Sequence, residues 1–184
     1  MIKIPPDGSS GDPFLGRRGV SRFSLNFLDK AQKDLWLPKL FEILYHNMKD
    51  IAPSGVSYEE EWEDWVSAVG PALDKAPRQI ILIHAGDSLA GYCQYYVNGG
   101  VFMVEEIQIV PEYQGTTLFC ALFRFLARVL PEGIETIAAY AHKSNLRSQK
   151  IMMKLGMEKA GESEGDFCCF KGDFRLVAAR FQKR

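Results

Sequence analysis

The chain has 184 residues, of which 47% are hydrophobic and 24% charged, a length and balance that suit one folded domain. Lys and Arg number 22 against 23 Asp and Glu, and a net charge of −1 excludes a sequence-independent grip on nucleic acid. No apolar run reaches membrane-spanning length and the first residues lack the apolar stretch of a signal peptide, so a cytoplasmic chain is expected.

Residues 1–19 are rich in Pro, Gly, Ser and Asp and show no hydrophobic period, so they read as a flexible arm before one domain, 20–184. Val20 to Leu28 alternates apolar and polar residues and predicts a strand. Pro38 suits the first turn of a helix that carries Leu40, Phe41, Leu44, Met48 and Ile51 at helical spacing. Ser57 and Glu60 form a capping box at the start of a second helix, striped by Tyr58, Trp62, Trp65, Val66 and Val69 and interrupted at Gly70-Pro71.

Strands follow. Ile80 to Ile83 is a short apolar run, Gly86-Asp87 a turn, and Leu89 to Val97 a tyrosine-rich strand. Asn98-Gly99 predicts a two-residue hairpin leading into a strand from Val101 to Val110. The period then changes. Leu118, Leu122, Phe125, Leu126 and Val129 predict a helix closed by Pro131, and Ile134 to Ala141 a strand. Leu146 to Leu155 reads as a helix capped by Ser144 or Asn145 and followed by Gly156, with two last strands near 158–161 and 166–178. This order predicts an α/β (α+β) fold: a mostly antiparallel sheet with one parallel pair, flanked by helices.

Cys93, Cys120, Cys168 and Cys169 follow no metal-binding spacing, and His46, His84 and His142 are scattered, so no metal site is expected and the thiols read as reduced. The informative stretch runs from Glu105 to Phe119. A strand ends at Pro111, a small-residue loop follows, and a helix begins near Gly115 or Thr116. Unpaired amides at such a helix mouth stabilise a phosphate or diphosphate; an ordinary strand-to-helix turn is the competing reading.

Ile107-Gln-Ile109-Val-Pro111-Glu-Tyr-Gln114-Gly115 resembles the acetyl-CoA motif of the GNAT N-acetyltransferases. Asn145-Leu-Arg-Ser148, continuing through Ile151, Lys154, Leu155 and Gly156 to Glu158, resembles the second motif of that family. The resemblance implies a GNAT-like sheet whose central parallel pair splays apart and takes acetyl-CoA as co-substrate. It assigns the pantetheine arm to the main chain of Ile109 and Val110 and to Asn145, with Ser148 nearby. It assigns the diphosphate to the amides of Gln114, Gly115, Thr116, Thr117, Leu118 and Phe119. It further implies a small-molecule or peptide amine as acceptor, no membrane partner, and dimer formation as a family habit.

Two positions depart from the family pattern. Thr117 and Phe119 replace small residues of the phosphate loop, although Phe119 can turn into the core and Thr117 can offer a hydroxyl. Met152 replaces a tyrosine that protonates the departing thiolate, and methionine has no proton to give. For the general base, Glu106 and Glu105 are the candidates, with a plain surface charge the competing reading for either. Strand alternation sends them to opposite faces, so one at most enters the cleft unless a bulge intervenes. His84, Tyr92 and His142 are lesser candidates, and the helix aromatics Trp36, Tyr58, Trp62 and Trp65 read as core or as substrate wall. The leading expectation is an acetyl-CoA-dependent N-acetyltransferase. The alternative, motivated by Thr117, Phe119 and Met152, is a degenerate GNAT-fold module that binds without transferring; a longer acyl donor is a third reading.

Overall fold

The computed structural model describes residues 22–75, 77–115, 117–162 and 165–182. Chain order is β1 (Phe23–Phe27), α1 (Lys33–Met48), α2 (Tyr58–Asp74), β2 (Gln79–Ala85), β3 (Ser88–Asn98), β4 (Val101–Ile109), α3 (Leu118–Val129), β5 (Thr136–His142), α4 (Leu146–Lys154), β6 (Glu158–Glu162), β7 (Phe167–Asp173) and α5 (Phe174–Gln182). Single 3₁₀ turns precede α1 at Lys30–Gln32 and follow β4 at Pro111–Tyr113. The arm expected over 1–19 lies outside the described residues.

Seven strands form one sheet in the order β1-β2-β3-β4-β5-β7-β6. Every neighbouring pair is antiparallel except β4 and β5, which run parallel as the strand–helix–strand pattern predicts. That parallel pair is short. It spans Val101–Thr136 to Val104–Ala139, while β4 continues to Ile109 and β5 to His142. Beyond Val104 the two strands splay.

One face of the sheet packs against α3 and α5. Its core includes Ile81, Phe102, Ile137 and Phe170 from the strands, Leu118, Leu122 and Leu126 from α3, and Val177 and Phe181 from α5. The other face packs against α1 and α2 through Ile80, Leu82 and Tyr92, covered by Leu37, Leu40, Val69 and Leu73. Among the described residues this second core contains nothing from β5, β6 or β7.

Several expected boundaries move. Helix α1 begins five residues before Pro38, because a 3₁₀ turn capped by Asp29, which accepts the Ala31 amide at 3.0 Å, starts the coil early. The proline then sits in the second turn. Helix α2 has the expected capping box at Ser57 and Glu60, yet runs through Gly70-Pro71 to Asp74, since packing of Val69 and Leu73 on the sheet outweighs the lost bond. The β3–β4 turn is Gly99-Gly100, one residue later than expected, at φ 55° and 77°. Two glycines fill the positive-φ positions with no Cβ penalty, which leaves Asn98 to pair with Val101.

The expected long strand over 166–178 divides into β7 and α5. Asp173 stops the strand by accepting the Leu176 amide at 3.0 Å, a helix-start contact. Phe174, Val177, Ala178 and Phe181 then fall at helical spacing, and Phe181 stacks on Phe123 with ring centroids 4.7 Å apart. The cap and that spacing are both present in the sequence and are the signal that separates the helix from the strand.

Gly91 holds β3 against the end of β4. A Cβ there would stand 2.3 Å from the Gln108 carbonyl oxygen, so any side chain forces the strands apart beside Ile109. Gly91→Ala is expected to cost about 2 kcal/mol or more of stability, read as a lower urea midpoint at unchanged slope.

Candidate active site

The splay between β4 and β5 is where the motif residues converge. On β4 the ladder to β3 pairs Gln94 with Glu106 and Tyr95 with Val104, leaving Glu105 as an extra, bulged residue. The bulge inverts the parity of the strand. Phe102 and Val104 face α3 before it, and Ile107 and Ile109 face α3 after it. Both glutamates therefore turn toward α2, the bulge being the exception to alternation that the sequence reading left open.

Their environments differ. Glu105 accepts from Arg78 Nε at 2.5 Å, from a second Arg78 nitrogen, and from Gln94 Nε2 at 3.1 Å, so a bidentate ion pair occupies it. Glu106 accepts from the Trp65 indole N–H at 3.0 Å and from the Tyr92 hydroxyl. Burial raises the Glu106 pKa above its ordinary value, while the Tyr92 and Trp65 hydrogen bonds partly oppose the rise. Burial, and then the neighbouring Glu106 charge, also push the Tyr92 hydroxyl well up, so Tyr92 stays a donor. A partly protected carboxylate held by two neutral donors, two residues past the last β4–β5 pair, is suited to accept a proton.

The main chain at the strand end is also arranged by the splay. The Val110 amide donates to the Ala90 carbonyl at 3.0 Å, and the Val110 carbonyl accepts from Tyr113 at 2.9 Å. Both Val110 groups are thus engaged within the protein, which corrects the expectation that Val110 offers them to a ligand. By ladder alternation the main-chain groups of Ile107 and Ile109 turn to the splay, where β5 no longer pairs with them. The Ile109 carbonyl accepts there from Gln114 Nε2 at 2.9 Å and Asn47 Nδ2 at 3.1 Å.

Past Pro111 the loop opens toward α3. The Gln114 amide closes the 3₁₀ turn on Pro111 at 3.2 Å, and the Ala121 amide bonds back to Thr117 at 3.0 Å. Among the described residues, the amides of Gly115, Thr117 and Phe119 have no hydrogen-bond acceptor, and the Thr117 hydroxyl makes no cap. Thr116 lies outside the described residues. The Phe119 ring does not roof this loop; it packs on Phe123 at 4.8 Å and Phe181 at 5.9 Å. These donors at the positive end of a 12-residue helix fit a diphosphate. Leu118 is the first residue of that helix and is fully buried.

On the far side of the splay, Asn145 caps α4 by accepting the Ser148 amide at 3.0 Å. Its Nδ2 points to Met48 Sδ at 3.9 Å, which brings the end of α1 to the mouth. Arg147 donates to Gln114 Oε1 at 2.5 Å and puts a cation beside the loop that follows Pro111. Sequence reasoning passes over Arg147, although it lies within the second motif. Met152 packs against the α3-side core. His84 lies edge-on to Trp36 at 5.6 Å, and His142 edge-on to Phe167 at 5.4 Å, both away from Glu106's partners. The four cysteines are free thiols, and no group of metal-ligating side chains forms among the described residues. No described helix is long and apolar enough to cross a membrane.

The comparisons with known proteins agree on architecture. An acetyltransferase from Thermus thermophilus superposes with a TM-score of 0.64 at 17% identity, over 82% of this chain and 96% of its own. The PaiA N-acetyltransferase of Thermoplasma acidophilum, solved with coenzyme A, superposes at 0.60 with 15% identity, over 82% and 98%. A probable acetyltransferase of the GNAT family from Chromobacterium violaceum gives 0.63 and 15%, over 85% and 90%. No protein-family model matches the sequence, and no curated protein matches it. The fold is that of acetyltransferases. Among acetyltransferase folds it is the GNAT type, with the splayed parallel pair at its centre.

Because the folded state holds the Glu106 proton to higher pH than the unfolded chain does, stability falls as pH climbs from the ordinary glutamate value of 4.5 through the raised one. Glu106→Gln cannot ionise and escapes this loss. Urea unfolding at about pH 5 and pH 8 should show wild type losing stability relative to E106Q; parallel curves would mean that Glu106 titrates normally.

Proposed function

We propose that this protein is an acetyl-CoA-dependent N-acetyltransferase of the GNAT family, acting on a primary amine by direct attack. The observation that carries the reading is the unpaired edge of β4 at the splay, which leads into the open amides of Gly115, Thr117 and Phe119. In this reading those amides and Arg147 hold the diphosphate, and the Ile109 main chain with Asn145 guides the pantetheine arm into the splay. The thioester then reaches the neighbourhood of Glu106.

Glu106 takes the proton of the attacking amine. The nitrogen forms a bond to the thioester carbonyl carbon, the carbon–sulfur bond breaks, and the thiolate takes a proton from water in place of a tyrosine donor. Products are the acetylated amine and free coenzyme A. Glu105 keeps Arg78 and the bulge in place. Such a reaction draws on acetyl-CoA where it is made and used, in the cytoplasm.

A second reading is favoured by two specific observations. The Ile109 carbonyl is already held by Gln114 and Asn47, and Met152 has no proton to donate. A module of the same fold that binds coenzyme A without transfer has these features.

Calorimetry with acetyl-CoA should show binding well below about 1 mM, and no heat at that concentration would remove both readings. Release of free thiol with an amine panel separates them, since the module releases none. Among variants, E106Q is expected to lower kcat by about 100-fold or more without weakening acetyl-CoA binding. Trp65→Phe keeps the ring but removes a hydrogen bond that favours the ionised carboxylate, so the acid limb of the pH–rate profile should move to higher pH. A limb that stays in place would show that the limb is not Glu106.

A further inference from the structure

Two side chains close on the Ile109 carbonyl at the mouth of the splay. Asn47 Nδ2, from the end of α1, donates to it at 3.1 Å, and Gln114 Nε2, from the loop after Pro111, donates at 2.9 Å. A carbonyl oxygen carries two lone pairs, so both are taken. Asn47 Nδ2 also donates to Gln108 Oε1 at 3.0 Å, and Gln114 Nε2 reaches Asn47 Oδ1 at 3.4 Å. The amide hydrogens of both side chains are therefore used within the protein.

The far end of this chain of bonds lies across the splay. Gln114 Oε1 accepts from Arg147 on α4 at 2.5 Å, so Asn47, Gln114 and Arg147 make a strap from α1 to α4. Its two ends are not held alike. Asn47 is tied to Gln108 on its own side, whereas Arg147 is exposed and pairs with no carboxylate among the described residues. From Thr136 to Met157 the chain has Lys143, Arg147, Lys150 and Lys154 and no Asp or Glu, so this end draws anions. A phosphate group takes a guanidinium through two parallel bonds between opposite charges, against one bond to the neutral Gln114 oxygen. An anion therefore wins Arg147 from Gln114. Without that tether the Gln114 side chain is free to turn away, and one lone pair of the Ile109 carbonyl opens while Asn47 keeps the other.

We infer that the strap is a latch that orders coenzyme capture: a diphosphate taken by Arg147 releases Gln114, and only then does the Ile109 carbonyl accept the amide N–H of a pantetheine arm. The inference rests on the coenzyme-binding reading and is indifferent to whether transfer follows. Gln114 acts through Ile109 and Arg147, so its side chain is a positioning group. By linkage the coupling runs both ways, and the arm tightens the anion by the factor with which the anion tightens the arm.

The test splits the coenzyme into two probes, inorganic pyrophosphate and neutral pantetheine. Each is titrated into the whole protein by calorimetry, with and without a saturating amount of the other. Wild type should bind pantetheine about fivefold or more tightly when pyrophosphate is present, with the same factor in the reverse titration. Gln114→Leu removes the amide from the carbonyl, and Arg147→Ala removes the tether. Both variants should bind pantetheine alone about fivefold or more tightly than wild type does, and added pyrophosphate should no longer change it. A plain phosphate ligand at position 147 predicts otherwise: pyrophosphate weakened and pantetheine unmoved. Equal pantetheine affinity with and without pyrophosphate in wild type overturns the latch. So does coupling that persists in Q114L, or pantetheine that binds none of the three proteins. Coenzyme A, titrated in parallel, keeps the two failures apart. Binding of the whole molecule without coupling between its halves sinks the latch alone, whereas no binding of it removes the reading beneath.

Discussion

Four residue pairs, Val101–Thr136 to Val104–Ala139, make the parallel ladder that joins the two antiparallel halves of this sheet. Everything at the candidate site depends on where that parallel pairing stops. Had the ladder continued, the main-chain groups of Ile107 and Ile109 would be spent on β5. Because it stops, those groups face a gap, and side chains from two helices and a loop close around its mouth. Asn47, Gln114, Arg147 and Asn145 are that ring. Asn47, Gln114 and Arg147 bond to one another or to the Ile109 carbonyl, so a ligand entering the splay exchanges these bonds for its own instead of forming bonds from nothing.

The bulge at Glu105 is the second constraint, and it acts through parity. It lets a single strand keep apolar residues on the α3 core at both ends while sending two successive carboxylates to the opposite face. Arg78 and Gln94 take one carboxylate, and Trp65 and Tyr92 take the other. The difference follows from surroundings: a guanidinium pair fixes one carboxylate in place, whereas burial, only partly opposed by two neutral donors, leaves the second with an elevated proton affinity. Trp65 also packs on Phe41, with ring centroids 5.6 Å apart, so the aromatic layer between α1 and α2 is both core and the support of Glu106.

Phe119 is a large side chain beside the open loop after Pro111 that does not cover it. Here α5 supplies Phe181, and α3 supplies Phe123, so the ring is drawn to the opposite side of the helix start. The helix that makes this accommodation covers residues expected as the end of a strand, although the Asp173 cap and the spacing of Phe174, Val177 and Phe181 mark a helix.

Local signals determined most of the elements and their order. The capping box at Ser57, the Asn145 cap, the period change after Pro111 and the strand–helix–strand order each depend on contacts within a few residues. They therefore survive without knowledge of the rest of the chain. Tertiary structure decided what local signals cannot reach. The continuation of α2 through Pro71, the register that bulges Glu105, the rotation of Phe119 onto Phe181, and the meeting of Arg147 with Gln114 all hinge on partners distant in the chain. Which residues could bear the chemistry was written in the sequence; that both carboxylates share one face was settled by a one-residue shift in strand pairing, because side-chain direction reverses with every residue.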